Sequence, residues 1–219
     1  MIAFFDLDRT LLSVNSATLW VMSERRLGFI STSQALRAAA WLFRYRLGMG
    51  SMEEALGTAI ASLAGVREAD LRDRSARFYA SEVRPTFRPG GIEALRAHQA
   101  RGDARVLLTS SSLYLSELVA AELALDGVVC TRFEVGPEGR LTGRSVGPPC
   151  FGAGKRAAAL AYAESRGQSL GECTFYTDSF SDLPVLEAVG QPVVVHPDPR
   201  LRREAARRGW PVVDWGKAG

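Results

Sequence analysis

The sequence predicts an α/β protein: a Rossmann-like parallel sheet with a small all-helical cap inserted after the first strand. The chain opens on a short apolar run, continues through a stretch of helical periodicity, and then alternates apolar runs with helical segments. Strands that alternate with helices pair in parallel and are joined by right-handed crossovers. We therefore expect an α/β core built from residues 1–13 and 84–219, and a four-helix cap built from residues 14–83.

The first strand is predicted at Ile2–Phe5, an apolar run typical of a strand buried on both faces of a parallel sheet. In the cap region, Ser-x-x-Gln at Ser31 and Ser-x-x-Glu at Ser51 are capping-box patterns that mark helix starts. Glycines mark the predicted helix ends in this region, at Gly28, Gly48 and Gly65. These signals predict four short helices.

Beyond Pro85 apolar runs and helical patterns alternate. The predicted strands are residues 106–108, 128–130, 174–177 and 193–195. The predicted helices are residues 92–101, 114–125, 154–166 and 182–189. An Arg-Pro-Gly-Gly turn precedes the first of these helices, and a hairpin turns at residues 136–139.

The charge balance argues against a nucleic-acid partner, because 27 basic residues are nearly matched by 24 acidic ones and no dense basic block occurs. Three cysteines without CxxC spacing argue against a disulfide framework or a zinc site, and favour a reducing cytoplasm. The N-terminus lacks signal-peptide features, and arginines interrupt the most apolar helical stretch. We expect a cytoplasmic protein without stable membrane insertion, as a monomer or homodimer.

Polar residues follow three of the predicted strands and begin one predicted helix. In parallel α/β sheets the ligand site lies beyond the carboxyl ends of the strands, where the strand order reverses. The residues at those positions are Asp6 and Asp8, Thr109 and Ser110, Asp178 and Asp182, and Lys155. Together they supply the carboxylates, hydroxyls and ammonium that bind a phosphate dianion beside a hard cation.

Each of these signals has a simpler reading when it is taken alone. An Asp-x-Asp after a strand is more often an exposed turn, and Asp182 suits a helix N-cap. Thr109 and Ser110 fit a polar helix start, although such a start also binds phosphate through its N–H groups. Lys155 is more specific: only Lys155 and Lys217 are lysines among the 27 basic residues, so a compact point charge stands at one interior position.

These residues resemble the haloacid dehalogenase superfamily over essentially the whole chain, and specifically its phosphoserine-phosphatase-like branch, subfamily IB. The segment 5–11, Phe-Asp-Leu-Asp-Arg-Thr-Leu, is similar to the first motif of that family. Thr109 corresponds to the second motif, Lys155 to the third and the segment 178–182 to the fourth, in the family's order. The helical insert resembles the family's small cap.

The resemblance implies a phosphatase that hydrolyses a small phosphomonoester. Asp6 would be the nucleophile that forms an aspartyl-phosphate, and Asp8 the general acid and base. Magnesium (Mg²⁺) would be held by Asp6, the backbone carbonyl of Asp8, and Asp178. The implied substrate-binding and supporting residues are Thr109, Ser110, Lys155, Arg9 and Asp182.

Residues that depart from the family pattern narrow the range of expected substrates. Asn15 stands where phosphoserine phosphatases have a cap glutamate, and an ungapped alignment places Ala59 near their cap arginine. Phosphoserine is therefore disfavoured, while histidinol phosphate, lipid-linked phosphates and other metabolites stay open. A helix face formed by Arg37, Trp41 and Arg44 fits substrate, lipid, or the exposed side of an amphipathic helix.

Other classes compete with this reading. A phosphoacceptor receiver domain gathers similar groups but places its lysine last, whereas here acids follow Lys155. A P-loop at Gly154 is excluded because Pro149 and Arg156 occupy required positions. A catalytically weak or inactive binding protein, and a phosphatase acting at a lipid surface, remain alternatives. His98 and His196 are expected in surface and loop positions without a catalytic role.

Overall fold

The computed structural model describes residues 1–33, 36 and 52–217. Its main sheet contains β1 (Ile2–Phe5), β2 (Ala104–Ser112), β3 (Gly127–Thr131), β6 (Thr174–Thr177), β7 (Gln191–Val195) and β8 (Val212–Val213). A separate antiparallel hairpin consists of β4 (Phe133–Val135) and β5 (Leu141–Ser145). The main sheet has the order β3-β2-β1-β6-β7-β8, and all its neighbouring strands are parallel. The predicted α/β parallel sheet is confirmed.

The helices of the described residues lie between these strands and before β2. They are α1 (Ser16–Arg26), α2 (Met52–Ala61), α3 (Glu68–Phe78), α4 (Pro89–Ala100), α5 (Leu113–Glu122), α6 (Gly152–Ser165), α7 (Leu183–Leu186) and α8 (Pro199–Arg208). No helix within the described ranges is both long enough and apolar enough to cross a lipid bilayer.

Successive side chains of each strand point to opposite faces of the sheet. Both faces are buried, because helices pack against each of them. On one face Phe4 packs with Phe175 and with apolar residues of α6, α7 and α8. On the other face Phe5 packs with Leu107 and with residues of α4 and α5. Every residue of β1 is buried, as its uninterrupted apolar sequence predicted. β1 pairs with β2 on one side and β6 on the other, so the strand order reverses at β1.

The predicted bounds of β1 and β6 are confirmed, but those of β2 and α7 are wrong. β2 continues through the polar residues after Leu108, with a register shift against β3, and α5 begins only at Leu113. Thr109 and Ser110 therefore lie in the strand and do not start the helix. The helix predicted at residues 182–189 is a short 3₁₀ turn, Phe180–Asp182, followed by the single turn of α7. α8 and β8 were not predicted.

α4 begins at Pro89, where the sequence predicted a turn that continues to Gly91. Proline suits the first position of a helix, because its missing N–H would have no partner there. Gly90 lies against the C-terminal segment: a Cβ at this position would stand 2.7 Å from Trp215 Cα. The glycines therefore allow close packing of the helix start and do not break the helix.

Three described helices, α1 to α3, occupy the segment predicted as the cap. A cluster of Leu71, Tyr114 and Leu141 joins this segment to α5 and the hairpin. Backbone hydrogen bonds connect the same parts, because Gly65 N–H donates to Leu141 O (2.8 Å) and Leu141 N–H donates to Val66 O (2.9 Å). The rest of the four-helix prediction lies outside the described residues, as do Gln34, Gly48, Ser51 and the face of Arg37, Trp41 and Arg44.

Candidate active site

Asp6 lies directly after β1, the strand at which the order of the sheet reverses. Its N–H donates to Tyr176 O at 2.9 Å, which extends the pairing of β1 with β6 by one residue. The chain then turns sharply through Leu7–Leu11, with Arg9 in the left-handed region at φ 59°. This turn returns Thr10 toward Asp6, and Thr10 Oγ1 donates to Asp6 Oδ2 at 3.2 Å.

Lys155 enters the site from the first turn of α6 and is 2% exposed. Its ammonium donates to Asp6 Oδ1 at 2.8 Å and to Asp182 Oδ2 at 2.7 Å. Thr177, the last residue of β6, also donates to Asp182 Oδ2, at 2.6 Å. Asp182 therefore accepts two hydrogen bonds from the site through its side chain. Asp182 does stand at the predicted N-cap position, before α7, but its carboxylate makes no capping bond there.

Thr10 also connects the ends of β1 and β6. The backbone N–H of Asp178 donates to Thr10 Oγ1 at 3.1 Å, while the same hydroxyl donates to Asp6. On the other side, Asp178 O accepts from Asp198 N–H at 2.9 Å. Asp178 is thereby held beside Asp6, although the two follow different strands.

Asp8 is fixed by the start of α1. Ser16 N–H, in the first turn of that helix, donates to Asp8 Oδ1 at 2.7 Å. The free N–H groups and the dipole at a helix start favour a negative charge there. The segment that follows the predicted first motif therefore holds one of the motif's own acids in place.

Thr109 and Ser110 lie on β2, next to β1 in the sheet. Thr109 is buried, and its Oγ1 accepts from Ser111 N–H at 3.2 Å. Ser110 is half-buried. Within the described part of the chain neither hydroxyl is hydrogen bonded to Asp6 or Lys155. The side-chain partners of Asp6 are Thr10 and Lys155 instead. The side chain of Arg9 is exposed at the turn after β1.

Burial and like charges perturb the acids. Burial raises the pKa of Asp6 to about 7, with Lys155 opposing this and Asp182 and Asp8 adding to it. The pKa of Asp178 is raised well above its usual value by burial and then by Asp6 and Asp182. Burial also raises the pKa of Asp8, against hydrogen bonding from Ser16. Although burial lowers the pKa of Lys155, Asp182 and Asp6 outweigh it and raise the pKa above its usual value.

The residues present fit a hard divalent cation. Three carboxyl groups of the site have raised pKa values, so an added positive charge would stabilise their ionised forms. All the predicted ligand atoms are oxygens, which suits Mg²⁺. The predicted set contains two carboxylates and one backbone carbonyl. This is compatible with the finding that no group of three or more His, Cys, Asp or Glu side chains in the described ranges is placed to hold a metal.

Several contacts of the site were not predicted from the sequence. Thr10 and Thr177 supply the hydroxyls that bind Asp6 and Asp182, and Ser16 supplies a backbone donor. The only available signal was position, since Thr10 lies within the first motif and Thr177 ends a predicted strand. Arg88 was also missed: it is 6% exposed, and its Nε donates to Arg9 O at 3.3 Å.

The expectation for His98 is wrong, because it is 1% exposed and not at the surface. Its ring nitrogens lie 2.9 Å from Asp103 Oδ2 and 2.9 Å from the Tyr176 hydroxyl. Tyr176 in turn stacks on Phe5, with 4.7 Å between ring centroids. This network contacts the sheet at Phe5, the residue that precedes Asp6. His196 is in a loop and accepts from Trp215 N–H at 3.0 Å.

The chain is similar to known proteins over nearly its whole length. The family model of haloacid dehalogenase-like hydrolases matches residues 3–187. A histidinol-phosphatase of Neisseria meningitidis is 30% identical over 98% of this chain and 98% of its own length. A phosphoserine phosphatase of Mycobacterium tuberculosis is 31% identical over 97% of this chain and 70% of its own length. A solved structure from Bordetella pertussis Tohama I, of unknown function, superposes with a TM-score of 0.89 at 32% identity and covers 98% of each chain.

The chain belongs to the haloacid dehalogenase-like hydrolases. Within that family it is a phosphoric monoester hydrolase, a phosphatase. The resemblance to the phosphoserine-phosphatase-like branch is also confirmed.

Proposed function

We propose that this phosphatase hydrolyses a small phosphomonoester with Mg²⁺ and through a phosphate ester of Asp6. The observation that supports this is the position of Asp6: its carboxylate stands at the carboxyl end of the central strand, with one oxygen bound by Lys155 and the other by Thr10. A nucleophile held at both oxygens keeps a fixed orientation toward the phosphorus.

In the proposed reaction an oxygen of Asp6 forms a bond to phosphorus while the bond from phosphorus to the leaving oxygen breaks. Asp8 gives its proton to that leaving alkoxide, and burial supports this role because it raises the pKa of Asp8. Asp8 then takes a proton from the water that attacks the aspartyl-phosphate. Inorganic phosphate leaves, and the carboxylate of Asp6 is restored.

The remaining residues would bind and orient. Thr109, the N–H of Ser110 and Lys155 would hold the oxygens of the phosphate, and Asp182 would orient Lys155. Asp6, the carbonyl of Asp8, and Asp178 would hold Mg²⁺, which would supply positive charge against the developing negative charge of the phosphoryl group. We further propose that residues 14–83 form the cap that selects the leaving group, over a core of residues 1–13 and 84–219.

The structure favours metabolites other than phosphoserine. Asn15, at the position of the cap glutamate, is the N-cap of α1: its side-chain oxygen accepts from Thr18 N–H at 2.9 Å. Asn15 therefore carries no charge for a substrate amine, and its oxygen is already bonded within the helix. Ala59 likewise offers no cation for a substrate carboxylate. Histidinol phosphate, the substrate in the name of one relative, is our first candidate.

The test is hydrolysis of an aryl phosphate by the purified protein with Mg²⁺ or with EDTA. We expect activity only with Mg²⁺, and loss of activity in Asp6→Asn without loss of folding. Asp126→Asn is the matched control, because Asp126 pairs with Arg105 at a distance from the site, and it should remain active. An active Asp6→Asn variant would rule out the covalent mechanism. A panel containing histidinol phosphate, phosphoserine and other phosphorylated metabolites then tests the substrate.

A further inference from the structure

Arg88 is a buried cation that donates a hydrogen bond to the turn through Leu7–Leu11. It immediately precedes α4 and is 6% exposed. Its guanidinium donates to the backbone carbonyl of Arg9 at 3.3 Å and also to the carbonyl of Gly216. No carboxylate of the described residues lies within ion-pair distance of it, and those of Asp214 and Asp178 act on its charge only from farther away. Because a buried charge is costly when it is not paired, the position of Arg88 calls for a reason beyond packing.

The residue whose carbonyl Arg88 holds is itself strained. Arg9 has φ 59° and ψ −3°, a left-handed conformation that costs a non-glycine residue about 1–2 kcal/mol. Its N–H donates to Val14 O at 2.9 Å, and its carbonyl accepts from Arg88. Such a conformation persists only when the surrounding structure fixes it, and here both backbone polar groups of the residue are fixed.

The strained residue separates two groups of the site. Asp8 precedes it, and Thr10 follows it with its hydroxyl bonded to Asp6 and to the N–H of Asp178. If Arg9 relaxed to a right-handed or extended conformation, the chain direction would change between Asp8 and Thr10. The acid and the hydroxyl would then not keep their present places relative to Asp6.

We propose that Arg88 is a positioning residue that maintains the left-handed turn at Arg9 and thereby the orientation of Asp8 and Thr10. This rests on the proposed function, in which Asp8 transfers the proton. The hydrogen bond from Arg88 to Gly216 and the contact of Gly90 N–H with Trp215 O (3.1 Å) also attach the C-terminal segment to the same point. The turn is therefore supported from outside the strands that carry the acids.

The test is a double-mutant cycle between Arg88→Met and Arg9→Gly, measured as kcat and KM with an aryl phosphate and Mg²⁺. Glycine adopts a positive φ without the cost of a Cβ, so a turn with glycine at position 9 depends less on the guanidinium. We expect Arg88→Met to lower kcat by about 10- to 100-fold in the wild-type background, the effect of a small misplacement of reacting groups. In the Arg9→Gly background it should lower kcat by less than about threefold, with KM changed little.

Arg105→Met is the matched control, because Arg105 is 7% exposed and pairs with Asp126 away from the site. It should lower the melting temperature and leave kcat unchanged in both backgrounds. Circular dichroism establishes that each variant is folded at the assay temperature. If Arg88→Met does not fold, Arg88→Lys takes its place in the cycle, since lysine keeps the charge and loses the forked donors.

An equal loss of kcat in both backgrounds would overturn the proposal, because Arg88 would then act independently of the strain at Arg9. An unchanged kcat in Arg88→Met would overturn it as well. Failure of the proposed function is recognised separately: in that case Asp6→Asn stays active, whatever the outcome of the cycle.

Discussion

Lys155→Met removes the ammonium that Asp6 and Asp182 share, and the structure allows the cost to be worked out. The ammonium lies 2.8 Å from Asp6 and 2.7 Å from Asp182, and all three side chains are less than one tenth exposed. Removing one partner of a buried ion pair costs about 3–5 kcal/mol, because the remaining charge is left uncompensated. For a chain of this size each kcal/mol corresponds to about 2–4 °C, so we expect the melting temperature to fall by roughly 6–20 °C.

The loss of stability in Lys155→Met should depend on pH. Burial raises the pKa of Asp6 to about 7 even though Lys155 opposes the shift, so removing Lys155 raises it further. A carboxyl group whose pKa is higher in the folded protein than in the unfolded chain stabilises the fold at low pH. This contribution is fully present below the pKa of the unfolded chain and disappears as the pH rises through the pKa of the folded protein. At pH 5.5 Asp6 lies below its folded pKa in both proteins, whereas at pH 8.5 the wild type holds it ionised beside Lys155 and the variant has no counter-charge for the ionised form. The destabilisation should therefore be larger at pH 8.5.

The assay is urea unfolding in EDTA at the two pH values, with Lys217→Met as control. Lys217 is the other lysine of the chain and is exposed, so its substitution should change the free energy of unfolding by less than about 0.5 kcal/mol. A loss below about 1 kcal/mol in Lys155→Met, or an equal loss at both pH values, would refute the assignment of Lys155 as the buried counter-charge.

Three further predictions concern the metal, the buried histidine and a close contact. Saturating Mg²⁺, at a hundred times its Kd, should stabilise the wild type by about 2.7 kcal/mol in thermal melts, and Asp178→Asn should lose most of this shift. Burial lowers the pKa of His98 from 6.5, so its network with Asp103 loses stability as the pH falls below 6.5, and His98→Gln should flatten that part of the stability profile. Gly90→Ala should lower the melting temperature by several degrees, because its Cβ would stand 2.7 Å from Trp215 Cα; an unchanged value would contradict the packing described.

The central strands and their acids could be predicted because they depend on local patterns. β1 is an apolar run and β6 is a short strand of aromatic residues and threonines. Each is followed directly by an aspartate, and parallel strands bring such ends to one edge. The contact of Lys155 with Asp6 and Asp182 follows from the same rule, since α6 starts at that edge. These predictions required chain order and polarity, and no knowledge of individual contacts.

The rest depends on tertiary contacts that no local pattern contains. β2 extends through polar residues because it pairs again with β3 after a register shift. α8 buries only Leu201 and Ala205, so its apolar stripe is too narrow for periodicity to reveal among its arginines. His98 looks like a surface residue until Tyr176, far along the chain, supplies its second hydrogen bond.

The central place of β1 also shapes how the protein folds. β1 ends at Phe5, yet its two neighbours begin at Ala104 and Thr174, so every pairing of this strand closes a very long loop. Contacts of such high order slow folding, because loop entropy is lost before the pairing stabilises anything. During synthesis the apolar strand β1 is therefore made before either of the strands with which it pairs. We expect refolding to be slow and aggregation to compete with it at high protein concentration.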